Sequence, residues 1–65
     1  MTDLKQAREE RGIKQVAVAE MLGVSRQTYA LYEANPGRMS IDQAKAVCKF
    51  LGCSVNEIFF RKDVN

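Results

Sequence analysis

The chain contains no histidine and only two cysteines among its 65 residues. Cys48 and Cys53 are five positions apart, which is neither a CxxC pair nor a zinc-ligand spacing, so no metal site is expected. An intracellular disulfide is not expected either, and we interpret both cysteines as small hydrophobic residues near the core. Since the sequence also offers no nucleophile paired with a base and no phosphate-binding glycine loop, we predict no enzyme and no cofactor.

Long apolar runs are absent as well. No stretch approaches the ~18 residues of a membrane-spanning helix, and the charged N-terminal sequence MTDLKQAREE lacks the apolar core of a signal peptide. We therefore expect no membrane association and a cytoplasmic location. The length is that of one domain, assigned to residues 1–65, with a polar tail at 61–65. A chain this short buries only about 60% of its unfolded surface, so we expect a small core.

No long run of basic residues is found, and the formal net charge is only +2. This charge permits nucleic-acid binding but does not require it. Any surface that binds DNA must therefore be assembled by folding.

The sequence does contain five segments with helical spacing of apolar residues. A first helix is expected over about residues 2–11, a second over 15–22, and a third over about 26–33. A fourth is expected between Ser40 and Gly52, and a short fifth after Ser54. The predicted inward face of the fourth helix consists of Ile41, Ala44, Val47, Cys48 and Leu51. Because no strand is predicted, the expected fold is an all-α, five-helix domain.

The ends of these segments carry residues that favour helix termini. Gly12, Gly23 and Gly52 follow predicted helices and can adopt a positive φ. The serines at 25, 40 and 54 are favourable N-caps. Ser40 and Ser54 are each followed three residues later by Gln or Glu, which is the spacing of a capping box.

Only three residues, GVS, separate the second and third helices. A turn this short forces the helices to cross steeply, at roughly 90–120°, which predicts a helix-turn-helix over residues 15–34. Val24 is apolar within the turn and is expected to enter the core. Tyr29 and Tyr32 are three positions apart, so we predict that both face the core rather than stack on bases.

Residues 15–34, QVAVAEMLGVSRQTYALYEA, resemble the helix-turn-helix of phage Cro and CI repressors and of the wider XRE family. The resemblance extends over residues 4–60. LKQAREERGIKQ is similar to the first helix of that family and its lead into the second, and MSIDQAKAVCKFLGCSVNEIF is similar to its fourth and fifth helices. The resemblance implies a compact lambda-repressor-like domain that binds double-stranded DNA as a transcriptional regulator. No small-molecule ligand is evident.

The resemblance also implies roles for individual side chains. The start of the third helix would enter the major groove, where all four base pairs present different donors and acceptors. The residues implied to contact bases are Arg26, Gln27, Thr28 and Leu31. Those implied to contact phosphates are Lys14, Gln15, Ser25, Asn35 and Arg38. Arg8 and Glu33 match a buried structural ion pair.

General chemistry is consistent with these roles. Arg26 can donate two hydrogen bonds to guanine, and Gln27 can pair with adenine. The N-terminus of the second helix carries partial positive charge, which favours a phosphate beside Gln15. The alternative is that these polar side chains are ordinary solvated surface, and that Leu31 is an exposed apolar residue without a base contact.

The sequence permits two interpretations of how the chain assembles. Members of the family usually bind palindromic sites as dimers, and the predicted homodimer contacts are Phe59, Phe60 and Val64. The alternative is that both phenylalanines belong to the core.

We predict a repressor. The alternative is a protein-interaction module on the same fold, such as an adaptor or antitoxin-like partner, which would use the apolar residues Val16, Ala17 and Met21 of the second helix.

Overall fold

The computed structural model describes residues 3–59, and within this range the chain folds into helices joined by short turns. In chain order they are α1 (Leu4–Glu10), α2 (Gln15–Leu22), α3 (Arg26–Ala34), a single 3₁₀ turn (Pro36–Arg38), α4 (Ile41–Leu51) and α5 (Val55–Phe59). No strand occurs between residues 3 and 59. The all-α, five-helix prediction is therefore confirmed.

Side-chain caps determine where several helices begin. Asp3 accepts a hydrogen bond from the backbone N–H of Gln6 at 2.7 Å, so α1 begins at Leu4, two residues later than predicted. The predicted capping box of α4 is present. The Ser40 hydroxyl accepts from the Gln43 N–H at 3.1 Å, and the Gln43 side chain accepts from the Ser40 N–H at 3.0 Å.

The C-terminal end of α4 explains the spacing of the two cysteines. Gly52 has φ +72°, and the N–H of Cys53 donates to the carbonyl of Cys48 at 2.9 Å. In a left-handed helix end of this kind, the residue after the glycine lies against the residue four positions before the glycine, which here are Cys53 and Cys48. Both thiols are free, with Cys48 buried and Cys53 half-buried. Burial, and secondly the Cys53 thiol, raise the pKa of Cys48 to about 12.

The core lies between α2, α3 and α4, with α1 and α5 closing it. Its most deeply buried side chains come from all of the longer helices; they are Leu4, Val18, Tyr29, Val47 and Leu51. Tyr32 and Val24 are half-buried and pack against this core. The prediction that the tyrosines face inward is therefore confirmed. No helix within residues 3–59 has both the length and the hydrophobicity needed to cross a membrane.

One predicted core residue is on the surface. Ile41 is 74% exposed, whereas Ala44, Val47, Cys48 and Leu51 of the same helix are buried as predicted. Its helical spacing is correct, but Ile41 is the first residue of α4, just after the Ser40 cap. The first turn of α4 thus extends past the core, and the assignment of Ile41 to the inward face was wrong.

Candidate nucleic-acid interface

The N-terminal turn of α3 presents polar side chains to solvent. Ser25 caps the helix, since its hydroxyl accepts from the Thr28 N–H at 3.1 Å and lies 3.0 Å from the Thr28 hydroxyl. Arg26 and Gln27 are exposed, and Leu31 is 55% exposed one turn further along. The cap therefore defines the first turn of α3, on which the Arg26 and Gln27 side chains remain accessible.

The opposite end of α3 is attached to α1 by an ion pair. Arg8 donates through Nε to Oε2 of Glu33, and through Nη2 to Oε1 at 3.3 Å. Its Nη1 donates to the carbonyl of Ile13 at 2.8 Å. The side chains of Arg8 and Glu33 are only 10% and 5% exposed. Such a fork-like geometry fixes both direction and distance.

The two charges stabilise each other in their ionised forms. The hydrogen bonds that Arg8 donates to Glu33 raise the pKa of Arg8 above its ordinary value. Burial acts to raise the pKa of Glu33, but the hydrogen bonds from Arg8 and Gln15, together with further favourable contributions that include the positive charge of Arg8, outweigh it, so this pKa lies below its usual range. Both groups are therefore charged at neutral pH.

Gln15 connects this ion pair to the start of α3. Its Nε2 donates to Oε1 of Glu33 at 3.0 Å, and its Oε1 accepts from Nη1 of Arg26 at 3.1 Å. Arg8, Glu33, Gln15 and Arg26 thus form one continuous set of hydrogen bonds, which we call the polar relay. It runs from the buried interface of α1 to the exposed N-terminal turn of α3.

Tyr29 lies beside the polar relay without joining it by a hydrogen bond. Its hydroxyl is buried and has no hydrogen-bond partner within residues 3–59. Burial first, and the nearby Glu33 carboxylate second, raise the pKa of the Tyr29 phenol. The hydroxyl is therefore neutral, and the ring acts as part of the core under the helix-turn-helix.

The other predicted DNA contacts are distributed around the turns. Lys14 occupies the N-cap position of α2, exposed and without a side-chain capping bond. Asn35 follows α3, and Arg38 ends the 3₁₀ turn; both are exposed. No side-chain hydrogen bond within residues 3–59 joins these three residues to the polar relay.

Comparison with known families agrees with this arrangement. A family model described as helix-turn-helix matches residues 4–58, which is most of the chain. The chain belongs to the helix-turn-helix family. It is a DNA-binding regulatory domain of the Cro/CI, or XRE, type, and this family is not typically enzymatic. No curated protein matches the chain significantly.

A second feature of this helix-turn-helix domain is an apolar groove at the α4–α5 end. Its volume is about 390 Å³. Its apolar lining comes from the 3₁₀ turn and from both helices, and includes Pro36, Met39, Ile41, Val55 and Phe59. Phe59, one of the predicted dimer residues, is half-buried here, while Phe60 and Val64 lie outside the described residues. Sequence periodicity assigned Ile41 to the core and so missed its place in the groove.

A second apolar patch lies between α2 and α4. Met21 and Phe50 are 37% and 44% exposed and line the same shallow pocket as Ala46 and Lys49. Val16 is also exposed but does not line this pocket. The patch of the helix-turn-helix domain therefore pairs Met21 with Phe50 of α4, rather than with Val16 and Ala17 as the sequence suggested.

Proposed function

We propose that this helix-turn-helix domain is a transcriptional repressor that binds a palindromic operator as a homodimer. The observation that carries the proposal is the exposed turn at the start of α3, where the Arg26 guanidinium is held by Gln15. The proposed location is the cytoplasm of a bacterium, where chromosomal or phage operators are found. In this proposal, binding blocks access of polymerase to the promoter.

Base contacts are proposed for the exposed face of α3. Arg26 would donate to guanine O6 and N7, and Gln27 would pair with adenine. In the unbound domain the Thr28 hydroxyl is bonded to Ser25, so its methyl group is the part offered to a thymine methyl. Leu31, one turn further along, is exposed enough to make a similar apolar contact.

Phosphate contacts are proposed for residues around this face. Gln15 uses one N–H of its amide for Glu33, and its second N–H would donate to a phosphate at the positive end of α2. Lys14, Asn35 and Arg38 are exposed and would add sequence-independent contacts. Because Ser25 already caps α3, its phosphate contact would come from the backbone or from a second bond to the hydroxyl.

The homodimer is proposed to form through the apolar groove. Ile41 at 74% exposure is a large apolar side chain next to an open, largely apolar depression. A second copy of the chain would cover the Ile41 side chain and the groove in one two-fold symmetric contact, because each copy carries the same exposed Ile41 and the same groove. This dimer would present two α3 helices to the two halves of a palindrome.

Gel shifts at two salt concentrations test the DNA-binding proposal, using DNA from upstream of the gene. Neutralising phosphates releases counterions, so affinity should fall steeply as salt rises. Arg26→Ala should relax base specificity, whereas Arg38→Ala should weaken all sequences alike and reduce the salt slope by about one. Binding that neither substitution changes would refute the assignment of these contacts.

A protein-interaction module is the second candidate function. The exposed Met21–Phe50 patch favours it, since neither residue has a part in the proposed DNA interface. Under this alternative, Phe50→Glu would abolish function in the cell while leaving DNA binding unchanged. Under the repressor proposal, Phe50→Glu would change neither function in the cell nor DNA binding.

A further inference from the structure

The amide of Gln15 lies between two groups of opposite hydrogen-bonding character. On one side the Glu33 carboxylate only accepts, and on the other the Arg26 guanidinium only donates. Only one orientation of the amide satisfies both neighbours, with its nitrogen toward Glu33 and its oxygen toward Arg26. Reversing the amide would put its NH₂ against a guanidinium and its oxygen against a carboxylate.

Glu33 itself cannot turn away from this arrangement. Its side chain is 5% exposed and held at two points by Arg8. Since Arg8 is in turn bonded to the carbonyl of Ile13, the carboxylate has a fixed position relative to α1 and α2. The orientation of the Gln15 amide is therefore set by a buried residue at the far end of α3.

We infer that Glu33 is a positioning residue for base recognition, acting through Gln15 on Arg26. The inference rests on the proposed role of Arg26 in contacting a base. A restrained guanidinium keeps the geometry that fits one base, while a free one can turn to a neighbouring base or phosphate. The polar relay thus raises discrimination between bases, in addition to the stability that the ion pair contributes.

The test requires a variant that removes the Glu33 carboxylate without stranding a buried charge. The double substitution Arg8→Met with Glu33→Met replaces both partners by apolar side chains of similar length, which is often neutral or stabilising. It leaves the net charge unchanged, so nonspecific attraction to DNA stays the same. Gln15→Leu interrupts the polar relay one step later and leaves the ion pair in place. Arg11→Met is the control for losing an arginine outside the relay, because Arg11 bonds to Gly52; its lost positive charge should weaken binding to all sequences alike and leave discrimination unchanged.

Discrimination is measured as the Kd for an operator with one base pair changed, divided by the Kd for the preferred operator. The measurement is repeated for each base pair of the site. Arg26→Ala first identifies the base pair that depends on Arg26. At that base pair the double Met variant and Gln15→Leu should each lose discrimination about 2- to 10-fold, the range expected for freeing one long side chain. Adding Gln15→Leu to the double Met variant should cause no further loss, and Arg11→Met should cause none.

Unchanged discrimination in a folded double Met variant would overturn the inference. If that variant does not fold, Gln15→Leu decides, together with ¹⁵N relaxation of the Arg26 side chain in the free protein. The inference predicts greater Arg26 motion in Gln15→Leu than in wild type, and equal motion would overturn it. If Arg26→Ala alone changes discrimination at no base pair, then the proposed contact of Arg26 with a base is wrong. That result differs from a failure of the inference about Glu33.

Discussion

The two ends of the domain are organised by opposite kinds of interaction. At the α2–α3 end, four polar side chains form the polar relay, each with defined donors and acceptors. At the α4–α5 end, Ile41 and Phe59 line an apolar groove of about 390 Å³. Hydrogen bonds between buried charged groups depend on direction, whereas apolar contact depends mainly on area.

This difference suits the two tasks proposed for the ends. Distinguishing one base pair from another requires donors at fixed positions, which the polar relay supplies to Arg26. Joining two copies of a chain requires burial of apolar surface and tolerates small shifts. We therefore expect the α2–α3 end to respond sharply to loss of single polar atoms, and the α4–α5 end to respond to loss of apolar area.

The largest expected effect is from Glu33→Ala. It leaves the Arg8 guanidinium buried without its partner, which should cost about 3–5 kcal/mol of the free energy of unfolding. In a domain this small, that loss is a large part of the total free energy of unfolding, so the urea midpoint should fall steeply. Urea denaturation followed by circular dichroism measures the loss. The matched control is the double Met variant, and equal stability of Glu33→Ala and wild type would show that the pair is not structural.

Acid should lower the stability of the domain by a smaller amount, and reversibly, through the same ion pair. The pKa of Glu33 in the folded domain lies below its ordinary value of 4.5, so its charge contributes stability above that value. This contribution should be lost as the pH falls below about 4.5 and through the folded-state pKa. Thermal melts between pH 7 and pH 3 measure it. In the double Met variant the corresponding part of the acid sensitivity should be absent, and identical profiles for the two proteins would contradict the assignment to Glu33.

Loss of apolar area at the other end should affect assembly rather than folding. Ile41→Ala removes most of an exposed side chain from the groove, so the free energy of unfolding of the monomer should change little. Dimerisation should weaken by roughly 1.5–3 kcal/mol for each of the two Ile41 side chains that the symmetric contact covers, the value of burying such a side chain. Sedimentation equilibrium at micromolar concentrations measures this change. Phe50→Ala, also at an exposed apolar residue but outside the groove, is the control; a wild-type chain that stays monomeric on DNA would contradict the dimer proposal.

The α2–α3 turn shows what the sequence could predict. Gly23 and the Ser25 cap are local signals, and the spacing of Tyr29 and Tyr32 is sufficient to direct both toward the core. The pairing of Arg8 with Glu33, residues 25 positions apart, required the family resemblance, because no local pattern contains it.

Other features could not be predicted from periodicity. The hydrogen bonds of Gln15 depend on the packing of α1, α2 and α3 together, so no spacing in the chain indicates them. Ile41 has the correct helical spacing for the core, yet no other element within residues 3–59 buries its side chain. Burial there depends on where the other helices end, which is a property of the whole fold.

Selection of binding sites from random double-stranded DNA, carried out in parallel with wild type and Arg26→Ala, tests the central claim most directly. We predict that wild type enriches a palindromic motif with half-sites about one helical turn apart. Arg26→Ala should enrich the same motif with one position per half-site no longer specified. Enrichment of identical motifs by both proteins, or of none by wild type, would contradict base recognition by the N-terminal turn of α3.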